Sequence, residues 1–181
     1  MTDALKLPET GTNVPLTVLG SLNYPDAAVG IGGNYIQPTG PAAQAYWYLV
    51  VDLSSLDVLV NEVSNDYNSV PADVQKYIGL PATMLVFVTV QLTMDRLPQG
   101  TLFSALKEAG AGRQLDRIEQ FNEQMGTGTL ASVAYILVTT LADDDLPGFE
   151  ESSTSTIPFL TLQLLPVTVD GKTTYTPITL D

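Results

Sequence analysis

The sequence predicts a β-rich α+β domain: a sandwich-like core of strands with two or three short helices, an extended N-terminal arm and a C-terminal hairpin. Three observations predict it. Strand-length runs of β-branched and aromatic residues recur along the chain, as AYWYLVVDL, DVLVNEV, ATMLVFVTVQL and TLASVAYILVTTL. Two other segments place apolar residues three and four apart, the period of a helix. Charged residues make up only 15% of the chain, against roughly 25% in ordinary globular domains, while Thr, Ser, Gly and Pro are plentiful, as strands joined by turns require.

With 181 residues, 45% of them apolar, the chain is long enough to bury a core without disulfides or metals. Residues 1–45 contain Pro8, Pro15, Pro25, Pro38 and Pro41 and the cluster GIGGNYIQPTGP. That composition excludes helix and predicts an extended arm or short edge strands, with VPLTVLGSLNY the best strand candidate. Residues 46–181 are expected to form a single α+β domain. Its first elements are a hairpin over Tyr46 to Val63, turning at DLSSLD. A short helix follows in SVPADVQKYIG, with a Ser69 cap, Pro71 in the first turn, Val74 and Ile78 on one face and a stop at Gly79.

ATMLVFVTVQL and TLASVAYILVTTL are apolar on both alternations and predict strands buried on both faces. Between them, Leu102, Phe103, Leu106 and Ala109, then Leu115, Ile118, Phe121 and Met125, predict two helices broken at Gly110 to Gly112, or one interrupted helix. Asp116, Glu119 and Glu123 are expected on a solvated helix face. The C-terminal stretch predicts a strand interrupted at Pro166, then a hairpin turning at Asp170-Gly171 with one wet face.

Twenty acids against seven bases give a net charge of −13. Nucleic-acid backbones and anionic membranes would be repelled by most of such a surface, so those partners are not expected. Cys and His are both absent, which removes disulfides, zinc-thiolate sites, His-based catalytic dyads and the commonest general base at neutral pH. No apolar run reaches the roughly eighteen residues of a membrane span, and MTDALKLPET lacks the pattern of a signal peptide, so membrane insertion is not expected and the compartment is unknown, with virion and extracellular settings both compatible. LPETG at residues 7 to 11 spells a sortase signal but lies far from any apolar C-terminal anchor, and reads as a chance match.

The order hairpin, short helix, buried strand, helical segment, small-residue turn and buried strand over residues 46–141 resembles the ILEI/PANDER (interleukin-like EMT inducer) domain family. The residues that carry the resemblance are YWYLVVDLSSLDVLVNEV, VQKYI before ATMLVFVTVQL, LFSALKEAG and GTGTLASVAYILV. The resemblance implies a non-catalytic sandwich flanked by helices and used to bind proteins or glycans. It names no ligand.

Two groups of residues are candidate sites. Tyr46, Trp47 and Tyr48 alternate across a strand, and whichever face stays exposed would be an aromatic platform for a sugar or a protein. Asp143, Asp144, Asp145, Glu150 and Glu151 surround a Pro-Gly turn, and Asp143, Asp145 and Glu150 are the candidate ligands of a calcium ion, although the spacing is not that of an EF-hand and a solvated acidic loop is the plainer reading. GIGGNY and the Ser152 to Ser155 run lack the helix or the base that phosphate binding or nucleophilic catalysis needs. No cofactor is expected other than that calcium. The expectation is a non-enzymatic structural or interaction subunit of a homo-oligomeric assembly, such as a virion, a tail or a secreted apparatus, whose partners are further copies or another subunit. The alternatives are a glycan- or protein-binding lectin-like module and a calcium-dependent enzyme.

Overall fold

The computed structural model describes residues 11–23, 26–40, 43–126, 131–142 and 148–179. Within them the chain is sheet-rich, with two sheets and three α-helices, an arrangement compatible with a β-sandwich.

The first sheet is built from both ends of the chain. Strands β1 (Val14–Leu19), β2 (Ala28–Ile31) and β3 (Asn34–Ile36) join β10 (Phe159–Val169) and β11 (Lys172–Ile178) in the antiparallel order β11-β10-β1-β2-β3. Among the described residues of 1–45, β3 alone lies at a sheet edge. β1 lies between β10 and β2, and Val14, Leu16 and Val18 point into the core because its apolar residues fall on alternate positions. Of LPETG only Gly11 lies within the described residues.

The second sheet holds β4 (Ala45–Asp52), β5 (Val58–Ser64), β6 (Thr83–Val90), β8 (Ser132–Leu141) and β9 (Phe149–Ser153) in the order β5-β4-β6-β8, with β9 also pairing β8 and the two-residue β7 (Leu92–Thr93) meeting the start of β8. Trp47, Leu49, Met84, Val86, Ile136 and Val138 face the first sheet and meet Leu16, Val18, Leu162 and Leu164 in one buried cluster. The turn between β4 and β5 closes one end of this core. Asp52 accepts hydrogen bonds from the Ser54 N–H (2.6 Å), the Ser54 hydroxyl (2.7 Å) and the Ser55 N–H (3.2 Å), and Leu53 and Leu56 are tucked inside. The Leu53 carbonyl then takes the Tyr175 N–H at 2.8 Å, tying the first sheet to the second.

The other face of the second sheet is also covered. Helices α1 (Ala72–Gln75), α2 (Gly100–Glu108) and α3 (Arg113–Met125) pack Val74, Leu102, Leu106, Leu115 and Ile118 against Tyr46, Tyr48, Phe87 and Tyr135. This double cover is what the unbroken apolar runs of β4, β6 and β8 record, since every residue of β6 is buried. The break between α2 and α3 falls at Gly110 as predicted, where φ is +97° and an added Cβ would lie 2.9 Å from the Gly148 nitrogen.

Two local expectations are corrected. Helix α1 spans four residues, with Pro71 rather than Ser69 preceding it; Ser69 hydrogen-bonds the Asp66 carboxylate instead, and Ile78, beyond the end of the helix, is 38% exposed. β10 runs straight through Pro166. Its partner Tyr175 sends its N–H to Leu53, so the pair is one that exchanges no ladder bonds, and β1 begins only opposite Leu164. The missing proline N–H thus faces no neighbouring strand.

Candidate functional site

The three consecutive aromatics are core residues. Tyr46 and Trp47 are 0% exposed and Tyr48 is 1% exposed, so none presents a ring face to solvent, and the platform expectation gives way to a packing role. Trp47 lies between the sheets and donates its indole N–H to Asn61 Oδ1 at 2.7 Å; Asn61 in turn donates to the Gln37 carbonyl (3.0 Å) and its own carbonyl accepts from Thr39 (2.8 Å). The tyrosines lie beneath the helices around Phe87, Tyr46 stacked on it with centroids 5.7 Å apart and Tyr48 edge-on at 5.2 Å. Tyr46 donates its hydroxyl to the Arg96 carbonyl, and Arg96 stacks over Tyr67 at 5.3 Å. Burial pushes both phenols well above their ordinary range, so they stay neutral at any physiological pH.

Of the candidate calcium ligands, Asp143 and Asp145 lie outside the described residues. Glu150 is half-buried on β9, and its carboxylate is already engaged. It accepts the Tyr135 hydroxyl at 2.6 Å and the backbone N–H groups of Gln114 (3.2 Å) and Leu115 (3.4 Å). Those two amides belong to the first turn of α3, whose own preceding residue, Gly112, has no side chain to cap them. Glu150 is therefore the cap of α3, supplied from a strand and matched in charge to the positive end of the helix. Burial, then the negative charge of Glu150, raises the Tyr135 phenol, which donates permanently. No group of three or more potential ligating carboxylates occurs among the described residues.

Next to this cap lies a groove of about 450 Å³, within the range of small-ligand sites. Helix α3 forms one wall. Arg117, Gln120, Phe121 and Gln124 recur at three- and four-residue spacing and so share a face. The end of β9 and the turn after it form the other wall, from Ser152 to Ser155, and Met94 and Ile118 lie at the base. The turn is organised by its own hydroxyls: Ser153 Oγ accepts the Thr156 N–H at 2.9 Å and the Ser155 N–H at 3.2 Å. Ser152 donates to the Gln114 amide oxygen at 2.9 Å, joining turn to helix. Lys107 pairs with Asp116 at 2.8 Å and Lys76 with Asp73. Arg117 makes no ion pair among the described residues.

The Ser152 to Ser155 run thus builds a wall and carries no activated nucleophile among the described residues. Glu150 as a cap was not readable in the sequence, because the residues it serves are 35 and 36 positions away. Only the uncapped start of α3, AGAGRQ, hints that a partner comes from elsewhere. The groove left one trace: Phe121 interrupts a face otherwise made of Arg and Gln.

No family model matches the sequence, and no curated protein matches it. Fold and site define the class: two packed sheets, a helical layer over one of them, and a polar groove at the edge of that layer. No helix among the described residues is long and apolar enough to cross a membrane.

Proposed function

We propose that the chain is a non-enzymatic interaction subunit that associates with further copies of itself through the outer face of the first sheet, which no described element covers. The observation that carries the reading is the charge distribution. The five strands of that sheet contain a single charged residue, Lys172, at the tip of the β10–β11 hairpin, in a protein with twenty acids. The outward positions include Thr17 and Leu19 on β1, Tyr35 on β3, Phe159, Thr161, Gln163, Leu165, Val167 and Val169 on β10, and Lys172, Thr174, Thr176 and Ile178 on β11. Tyr35 is 66% and Phe159 57% exposed.

A second copy is the partner that fits. Elsewhere two molecules of charge −13 repel each other, whereas this face meets its own image without opposing like charges. Five strands at about 4.8 Å spacing and about 20 Å mean length give a face on the order of 500 Å², comparable to the largest patch of an ordinary monomer and below the roughly 800 Å² per partner of a standard interface. The association is accordingly weak and depends on concentration. The resemblance to the ILEI/PANDER family, with its implied non-catalytic binding role, supports the same reading.

Sedimentation across a wide concentration range tests it. Mass is expected to rise with concentration, and more steeply in added salt, because screening removes the self-repulsion. Tyr35→Asp combined with Thr161→Asp places like charges across the contact and should weaken association by at least about tenfold. A monomer at every concentration, or undiminished association of the double variant, would refute the proposal.

A further inference from the structure

We infer that the groove between α3 and the turn after β9 binds a saccharide carrying a carboxylate, of the hexuronate type. The groove lies on the helical side of the second sheet, away from the uncovered sheet face, so this inference stands independently of the association proposed above.

The chemistry of the walls selects the ligand. Arg117 is a guanidinium with no ion pair among the described residues, and its planar fork suits bidentate pairing with a carboxylate. Gln120 and Gln124 each bring a donor and an acceptor, and the Ser152 to Ser155 turn adds hydroxyls, which together match the alternating donors and acceptors of sugar hydroxyls. Phe121, 39% exposed, supplies an apolar surface for the C–H face of a pyranose ring. A volume of about 450 Å³ admits one or two such rings.

The overall charge of −13 argues against an anion only at long range. At physiological salt the Debye length is about 8 Å, so the nearest charge decides. Glu150, the carboxylate beside the groove, is taken up by the Tyr135 hydroxyl and the Gln114 and Leu115 N–H groups. The acids of α3 lie off this face: Asp116 is turned to Lys107, and Glu119 and Glu123 follow it along that other flank. The turn is ordered before any ligand arrives, by the Ser153 hydroxyl and by Ser152 on Gln114, so little ordering cost falls on binding.

Amide-resolved NMR titration of the intact chain with glucuronate, glucose and sulfate tests the inference. Glucuronate should give saturable shifts confined to residues 117–124 and 152–156. Glucose should bind at least about tenfold more weakly, lacking the carboxylate, and sulfate should give no saturable shift there. Arg117→Gln, an exposed change that leaves the core intact, should lower glucuronate affinity at least about tenfold and abolish its preference over glucose. Phe121→Ala should weaken glucuronate and glucose alike, whereas Lys172→Gln, at the β10–β11 turn of the first sheet, should change neither. Equal binding of glucose, equal binding of sulfate, absence of binding, or indifference to Arg117→Gln would each overturn it.

Discussion

The two sheets meet in one core but turn very different backs to their surroundings. The second sheet carries a helical layer, and its outward aromatics Tyr46, Tyr48, Phe87 and Tyr135 are sealed beneath α1, α2 and α3. Among the described residues no helix or strand packs on the outer face of the first sheet, and its outward positions are threonines with scattered large apolar residues. Covering a sheet lets it use apolar residues at every position, and the helices then supply the charged exterior: α2 and α3 alone contain Lys107, Glu108, Arg113, Asp116, Arg117, Glu119 and Glu123. An uncovered sheet must be wettable on its own. Here it is wettable through hydroxyls instead of charges, which leaves it compatible with both water and a second copy.

The sharpest way to break this contrast is to remove one ring from each back. Phe87 sits at the centre of the sealed cluster, 5.2 to 6.1 Å from three tyrosine rings. Phe87→Ala should cost about 3–5 kcal/mol in denaturant unfolding, from lost burial and the cavity left behind. Phe159→Ala on the uncovered face should change the stability of the dilute monomer by less than about 0.5 kcal/mol. Comparable losses would mean that Phe159 is covered in the monomer and that the two backs do not differ.

This contrast is partly legible in the amino-acid sequence. The unbroken runs of β4, β6 and β8 announce cover on both faces, and VPLTVL and FLTLQL announce cover on one, because side chains alternate across a strand. The β10–β11 turn at Asp170-Gly171, with φ of +51° and +76°, follows from local chemistry alone. What the sequence hid was long-range. Nothing local says that β1 would pair with β10, nearly 150 residues away, and so become an interior strand. The aromatic triplet was legible as strand, but which layer each ring would enter depended on where the helices landed. The groove likewise joins α3 to a turn some thirty residues later, a proximity created by β8 and β9.

A second test asks whether the helical layer is held to its sheet by polar anchoring as well as by apolar packing. Glu150 caps α3 from the edge strand and satisfies the buried Tyr135 hydroxyl. Glu150→Ala should cost about 1–3 kcal/mol, since it strips the cap and orphans a buried donor. Glu150→Gln, which keeps an acceptor and loses the charge, should cost under about 1 kcal/mol. Hydrogen exchange should show the loss first at Gln114 and Leu115, with the first sheet unaffected. Uniform loosening of both sheets would mean that Glu150 supports the whole fold and not the attachment of one layer.

The smallest expected effect concerns pH, and it again separates the helical layer from the sandwich. On α3, burial and then the neighbouring charges of Asp116 and Glu123 raise the Glu119 carboxyl above its ordinary value. Its protonated form is favoured by folding, so its contribution is fully present below the unfolded value near 4.3 and is lost as pH rises through the higher folded value. At pH 7 the charge is a liability, and because most of the group is solvated the liability is only a few tenths of a kcal/mol. Glu119→Gln should therefore stabilise slightly at pH 7 and lose that advantage near pH 4. At the β4–β5 turn the sign is opposite. Burial would raise Asp52, but the hydrogen bonds from Ser54 and Ser55 outweigh it and hold the carboxyl below its ordinary value. Its stabilisation is present above about pH 4 and is lost as pH falls through the depressed folded value. Asp52→Asn should therefore destabilise at pH 7, and the difference should shrink in stronger acid. Denaturant midpoints at both pH values measure the two together. If the variants shift stability in the same direction at pH 7, the charge of α3 is not self-repelling, and the solvated charged exterior assigned to the helical layer fails at its most crowded point.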